Sequence, residues 1–488
     1  TQITLNWVSN TDISPPCNSL NSGNLQLDCY GSTPAGAVEE YIYESLPIAL
    51  PGTPPANGWH FTWDSCCRNG AISNLVLSST SSPSEGFTLR AAMFPYTDPI
   101  TGVPTPADPC FDSSPVFNES PKTIICAGYD FAYSHNASDP ELDSIRYYWA
   151  EPLDDFVGTY DPDPAMGSPA AIPFVPPFAF NAPLPGGPSL DPVSGEISYS
   201  ASVSQSGYYA TVTRVDAYKC GQKIASIYRE IQAVLIGCPT LPSGAPNLPP
   251  SVTPPFPTNI DPYYTTVSAG DIVTFNVTAV DNEVYANGSF QDVTFEISGG
   301  QMADDFITPT LCDNPPCATF TNASGQVPPI TSPQIVDGIF SWQTACSHVA
   351  TDIGCGNTSN IYTFAVKAYD DYCPANAITI ATITVEVTAA DSLPAPDFQC
   401  VWKDEDGNIT FDWNHNIGAS SSTIYHLYGA ANIGGPYSLI SDINYPLDSY
   451  SSLIDSLPVG AEYFYLTTES TCADNSLPSD TISPISFG

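Results

Sequence analysis

Apolar and polar residues alternate with a period of two along most of this chain, in short runs bounded by turn residues. Three of these runs end in the same way: 131–139 (FAYSHNASD, then PELD), 275–281 (FNVTAVD, then NE) and 364–370 (FAVKAYD, then DYCP) each close on clustered carboxylates. Period-two runs of this length predict β-strands that bury one face. Further strands are expected at 3–8, 145–149, 191–199, 208–215, 224–236, 293–297, 337–342, 362–368 and 378–387. The pattern predicts an all-β chain of antiparallel sandwiches with about seven strands each, strung as a rod of tandem modules.

Proline-rich hinges at 239–262 and 393–396, with a weaker break at 113–121, divide the chain into 1–117, 118–240, 247–390 and 394–488. The second and third segments follow one plan. Each opens on Asn and Pro (118–121, 247–250), runs a strand into an acidic cluster, then a second strand (IRYYW, VTFEI). After an insertion comes a turn and strand (DPVSGEISY, DGIFSW), and two alternating strands finish the segment. Repetition on this scale means repeated modules. Proline-rich 161–192 is expected to be a long surface loop inside the second copy.

Composition agrees with strands and turns. Fifty prolines and 33 glycines argue against long helices, while 42% hydrophobic residues suffice to fill several cores. Acids outnumber bases 51 to 10, for a net charge of -41, which excludes nucleic-acid binding. Beyond Arg229 the bases are Lys367 and Lys403. Repulsion at that density is screened by salt or neutralised by bound divalent cations. No apolar stretch reaches the roughly 20 residues needed to span a bilayer. No nucleophile with its base, phosphate loop or histidine metal site is evident, so a non-enzymatic role is expected.

Two readings of the acidic clusters remain open: a solvated strand end, or a cation site. Asp139, Glu141 and Asp143, then Asp281 and Glu283, then Asp370 and Asp371 are the candidate ligands, with Ca2+ the expected ion because hard cations take six to eight oxygens. Fifteen cysteines without paired CxxC spacing predict disulfides and therefore export. Cys66 and Cys67 are expected to pair separately, with Cys29 or Cys17 as partners, Cys346 with Cys373, and Cys400 with Cys472. Cys312 and Cys317 are further candidates. Trp59, Trp63, Tyr147, Tyr148 and Trp149 are candidates for a sugar platform, although alternation sends half of them to cores.

The fourth segment, with Trp413 on its second strand and the Tyr-rich run 462–467, resembles a fibronectin type III domain. The second and third resemble Ig-like or cadherin-like sandwiches. In order, 64–69 (DSCCRN), 118–121, 133–143 (YSHNASDPELD), 191–197 and 229–232 (REIQ), preceded by 28–31 (DCYG), resemble the amino-terminal module pair of large surface proteins exported by the type IX system of gliding bacteria. The resemblance covers about residues 1–238. It implies a cell-surface or extracellular protein that serves in adhesion, in gliding motility or as a filament, whose partners are further copies of itself, other surface proteins or polysaccharide. The Asp-Ser/Thr-apolar tripeptides resemble the O-glycan acceptors of the same bacteria, which marks Ser144, Ser392, Ser456 and Thr481. That family has one more strand before Ile3, so either the sequence is one portion of a larger protein or the first module takes a strand that a neighbouring chain supplies, a route to polymerisation. The alternative is the non-catalytic, carbohydrate-binding portion of a secreted hydrolase.

Overall fold

The computed structural model describes residues 3–31, 37–50, 52–65, 68–77, 86–99, 102, 104, 112–121, 124–154, 170–237, 240–349, 359–389, 393–403, 408–416, 419, 423–469 and 476–484. Among these the helical pieces are one four-residue turn, Ser19–Ser22, and three 3-10 turns; everything else that is regular is strand. The chain is all-β.

The third segment shows how alternation makes the fold. Along Ile272–Val280, Val273, Phe275, Val277 and Ala279 point inward, and along Ile335–Gln343 so do Val336, Phe340 and Trp342. The two strands pair antiparallel, which stacks Phe275 on Phe340 with ring centroids 4.4 Å apart. At Gly338 a Cβ would fall 2.0 Å from the Phe320 ring, so only glycine lets the sheet close over that side chain. Opposite lies the five-stranded sheet of Tyr264–Ser268, Ile378–Thr388, Ser359–Tyr369, Asp292–Ser298 and Ile330–Pro333.

The second segment repeats this pairing. Asp130–Ser134 pairs with Glu196–Ser200 as Ile272–Val280 does with Ile335–Gln343, and Ser144–Trp149 with Gly207–Lys219 as Asp292–Ser298 does with Ser359–Tyr369. In both a short entry strand runs parallel to the last long one: Ile124–Ala127 beside Gln222–Gly237, and Tyr264–Ser268 beside Ile378–Thr388. The fourth segment packs Asp397–Lys403, Asn408–Asn414 and Ser449–Leu453 against Ser438–Asn444, Ile424–Ala430 and Tyr463–Glu469, with Trp413 buried as its pattern requires.

The first segment divides. Trp59–Ser65 and Phe87–Met93 form a hairpin whose second strand pairs with Gln222–Gly237, so the sheet of the second module runs across the 117/118 position. Among the described residues Leu5–Asp12 pairs only with Glu39–Ser45. The described part of the expected proline-rich loop is not a free loop. Ala170–Ala171 pairs with Leu153–Asp154, Phe174 bridges Leu75, and Ile172 and Leu184 are buried.

The second and third modules do not follow each other as links of a rod. Phe131, Tyr133, Ile197 and Tyr199 share one core with Ala365, Tyr369, Ile378 and Ile380 of the third module's five-stranded sheet. The reason lies in Ile378–Thr388, which is apolar on both faces: Ile383, Val385 and Val387 fill its own core while Ile378 and Ile380 fill the joint. Polar pairs surround this contact. Asn136 donates to Ser298 Oγ (3.0 Å) and accepts from Thr363 (2.9 Å), and Lys367 Nζ lies 2.9 Å from Glu119 and 2.6 Å from Glu296. A Cβ on Gly300 would come within 2.1 Å of Ser138 Oγ, a measure of how closely the modules meet.

Candidate functional site

Of the expected cation ligands, Asp139 and Asp143 come together and Glu141 does not join them. Asp139 follows the short strand Ala137–Ser138 and is held in an Asx turn, its Oδ1 accepting from Glu141 N and Asp143 N, both at 3.1 Å. The turn throws Glu141 outward, where its carboxylate takes the N–H and hydroxyl of Ser113 (3.0 and 2.9 Å). That contact brings Asp112 inward, and one carboxylate oxygen from each of Asp112, Asp139 and Asp143 lies within 4.8 Å of the others. Asp139 is 5% exposed and Asp143 7%. Lys219 Nζ, 3.2 Å from Asp143, supplies a cation. Asp112 Oδ1 and Asp139 Oδ2 are buried without a hydrogen-bond partner. Burial, then repulsion from Asp139, Asp143 and Glu141, pushes the Asp112 carboxyl up to about 8, and burial with Asp143 pushes Asp139 up to about 7.

The equivalent residue of the third module, Asp281, makes the same turn with Glu283 N at 2.8 Å, and Glu283 itself accepts from Leu248 N. The Oδ2 of Asp281, like that of Asp139, is buried without a hydrogen-bond partner. Asp370, fully buried and pushed well above the usual carboxylate range by that burial, accepts from Tyr372 N, Ala377 N and Asn247 Nδ2 at 3.0, 3.1 and 2.6 Å. Asn247 in turn accepts from Gln291 (2.8 Å). Asp371 is bonded by Tyr285 OH and by Asp292 N. Asp370 and Asp371 therefore serve as acceptors within the fold.

The cysteines depart from expectation. Cys373 is bonded to Cys17, not to Cys346, because residues 13–18 run across the end of the third module, where Asn18 N donates to Asp371 O at 2.6 Å. Cys220 and Cys346 are each disulfide-bonded, and Cys312 pairs with Cys317 as its candidacy implied. Cys29 is a free thiol, so neither Cys17 nor Cys29 is the partner expected for Cys66 and Cys67, which lie outside the described residues. Cys400 is an exposed free thiol beside Asp412 Oδ2 (3.4 Å), on the outer face of its sheet and not stapled; Cys472 is outside the described residues.

Ser144, Ser456 and Thr481 are exposed, and Ser392 is outside the described residues. The aromatic candidates do not form one row: Tyr147 is buried at 1% exposure, Trp149 packs on the joint core, and Tyr148 and Trp63 are exposed. Unforeseen in the sequence are Asp112, Asn247 and Lys219. Lys219 had a signal, since it is among the few bases and ends the long strand of the repeat.

No family model and no curated protein matches the chain. Solved structures similar to it include domains A168-A170 from titin (13% identity, 76% of this chain and 99% of that one, TM-score 0.18). Another is the chicken CNTN1 FN1-FN3 domains (10% identity, 76% and 97%, TM-score 0.18).

Proposed function

We propose that this protein is an extracellular structural component that works in adhesion or in a surface filament by associating with further copies of itself through the hairpin Leu5–Asp12 and Glu39–Ser45. One observation carries the reading: this hairpin is a sheet of two strands, with no third strand on either edge among the described residues. Leu5, Trp7 (58%), Val8, Tyr41 (52%), Ile42 and Tyr43 are exposed along it. A lone two-stranded sheet is marginal in water, and open edges flanked by large apolar side chains are where another chain adds a strand. Disulfides support an oxidising, extracellular setting. Among the described residues no helix is long and apolar enough to cross a membrane.

Sedimentation and electron microscopy of the purified chain test this. Assemblies that persist at physiological salt and dissolve in a Trp7→Lys/Tyr43→Lys variant with an unchanged melting curve are expected. A monomer at tens of micromolar, indistinguishable from that variant, sinks the proposal.

A further inference from the structure

We infer that Asp112, Asp139 and Asp143 form a binding site for one divalent cation, calcium by its ligand chemistry, which ties the 112–117 segment to the second module beside its joint with the third. The acids alone do not carry this. The second observation is Asp139 itself, a residue 5% exposed whose Oδ2 has no hydrogen-bond partner although its carboxylate lies beside two others. Buried polar atoms in native proteins have partners, and a carboxylate oxygen turned toward other carboxylates is satisfied only by a cation or a proton.

Charge points the same way. Lys219 Nζ offsets part of the negative charge gathered by Asp112, Asp139 and Asp143, and a divalent ion offsets more of it. Geometry agrees as well. Asp139 Oδ1 is committed to the backbone of its own turn, which fixes Oδ2 toward the cluster, and Asp112 Oδ1 is likewise buried and unpartnered. A cavity of about 280 Å³ adjoins Asp139 and Asp143 and extends to Gln301 and Asn314 of the third module, room for the waters that complete a calcium shell. Magnesium demands a near-ideal octahedron and gives up its waters reluctantly, so calcium is the ion expected.

The site also sits where it matters mechanically. Asp112 precedes the strand Val116–Phe117, which pairs with Ala137–Ser138 directly before Asp139. Pro140 O, inside the loop, accepts from Asn314 Nδ2 of the third module at 3.0 Å. An ion held by Asp112, Asp139 and Asp143 therefore fixes a loop that contacts both neighbours.

Calorimetry with calcium chloride on the full chain, after chelation, reads the stoichiometry. Its melting temperature is followed in parallel. The wild type is expected to bind calcium with a rise in melting temperature, and Asp139→Asn and Asp112→Asn are each expected to lose one equivalent or to weaken it about tenfold or more. Asp112, the less buried of the two, serves if Asp139→Asn does not fold. A wild type that binds no calcium, or variants that keep its full stoichiometry and affinity, overturns the site. Loss in Asp139→Asn alone overturns the three-acid assignment.

Discussion

The acidic loops of the second and third modules begin with the same Asx turn, at Asp139 and at Asp281, each with Oδ2 buried and unpartnered, and differ in how the acids around them are held. In the third module the deepest acid, Asp370, is given two backbone N–H groups and the amide of Asn247, so its hydrogen bonding is complete within the protein. In the second module Asp112, Asp139 and Asp143 are turned on one another, with Lys219 beside Asp143. Burial of a carboxylate is tolerable when donors replace water and costly when other carboxylates do. Asp370 is thus satisfied as an acceptor within the fold although Asp281 Oδ2 nearby has no donor, whereas in the second module three acids bring oxygens within 4.8 Å of one another. The third cluster is also held covalently: Cys17–Cys373 and the Asn18–Asp371 hydrogen bond attach the N-terminal segment to it.

The largest break in this comparison is expected from removing that clasp. Cys17–Cys373 closes a sequence separation of 356 residues, and loops this long lose the most unfolded-state entropy to a crosslink. Cys17→Ser/Cys373→Ser is expected to destabilise the protein by about 4 kcal/mol in urea titration. Its calcium heat should remain, because the clasp lies at the other loop. Unchanged stability would mean that the N-terminal segment docks on the third module without help from the bond.

Next comes a substitution that makes the third loop resemble the second. Asn247→Asp sets a second carboxylate against Asp370 in a site that excludes water, and a cost of about 3 kcal/mol at pH 8 is expected. The sign with pH follows from the raised carboxyl. A buried acid whose folded pKa lies above its unfolded one binds its proton first in the folded state, so stability returns as pH falls through the folded value. The penalty is therefore expected to shrink between pH 8 and pH 5. A penalty that is flat with pH would place the damage in lost packing and not in charge.

These contrasts also mark what sequence could and could not reveal. Strand positions were legible because one-sided burial writes itself as alternation, as at Ile272–Val280. The duplication was legible for the same reason. The side-on joint had a visible signal that the rod expectation passed over: ITIATITVEVT is nearly continuous in apolar and Thr residues, which marks a strand covered on both faces. Asp139 and Asp143 were legible as a local cluster. Asp112 was not, since it reaches them only through the Glu141–Ser113 contact, and no local pattern announces that pairing. Cysteine connectivity stayed hidden because pairing depends on where distant segments meet.

The smallest effect separates the two modules by their buried histidines. His348 of the third module is satisfied on both ring nitrogens: Nδ1 accepts from Ala345 N at 2.9 Å, and Nε2 donates to Asn314 O at 2.9 Å. His135 of the second is wholly buried between the Phe117 and Tyr133 rings, near the Arg229 guanidinium, and neither nitrogen has a partner. Burial, with Arg229 adding to it, holds His135 well below its ordinary range. Its unfolded form takes up a proton below about pH 6.5 while the folded form stays neutral, so its share of stability is present above that pH and is lost as pH falls. His135→Phe is expected to leave the melt near pH 7.5 almost unchanged, since no hydrogen bond is lost. Below pH 6.5 it should flatten the acid-side decline by up to about 1.4 kcal/mol per pH unit. His348→Phe is expected to cost about 2 kcal/mol at pH 7.5 by orphaning Ala345 N and Asn314 O. Equal costs for the two substitutions at neutral pH would erase the distinction between a buried histidine whose ring nitrogens are partnered and one whose ring nitrogens are not.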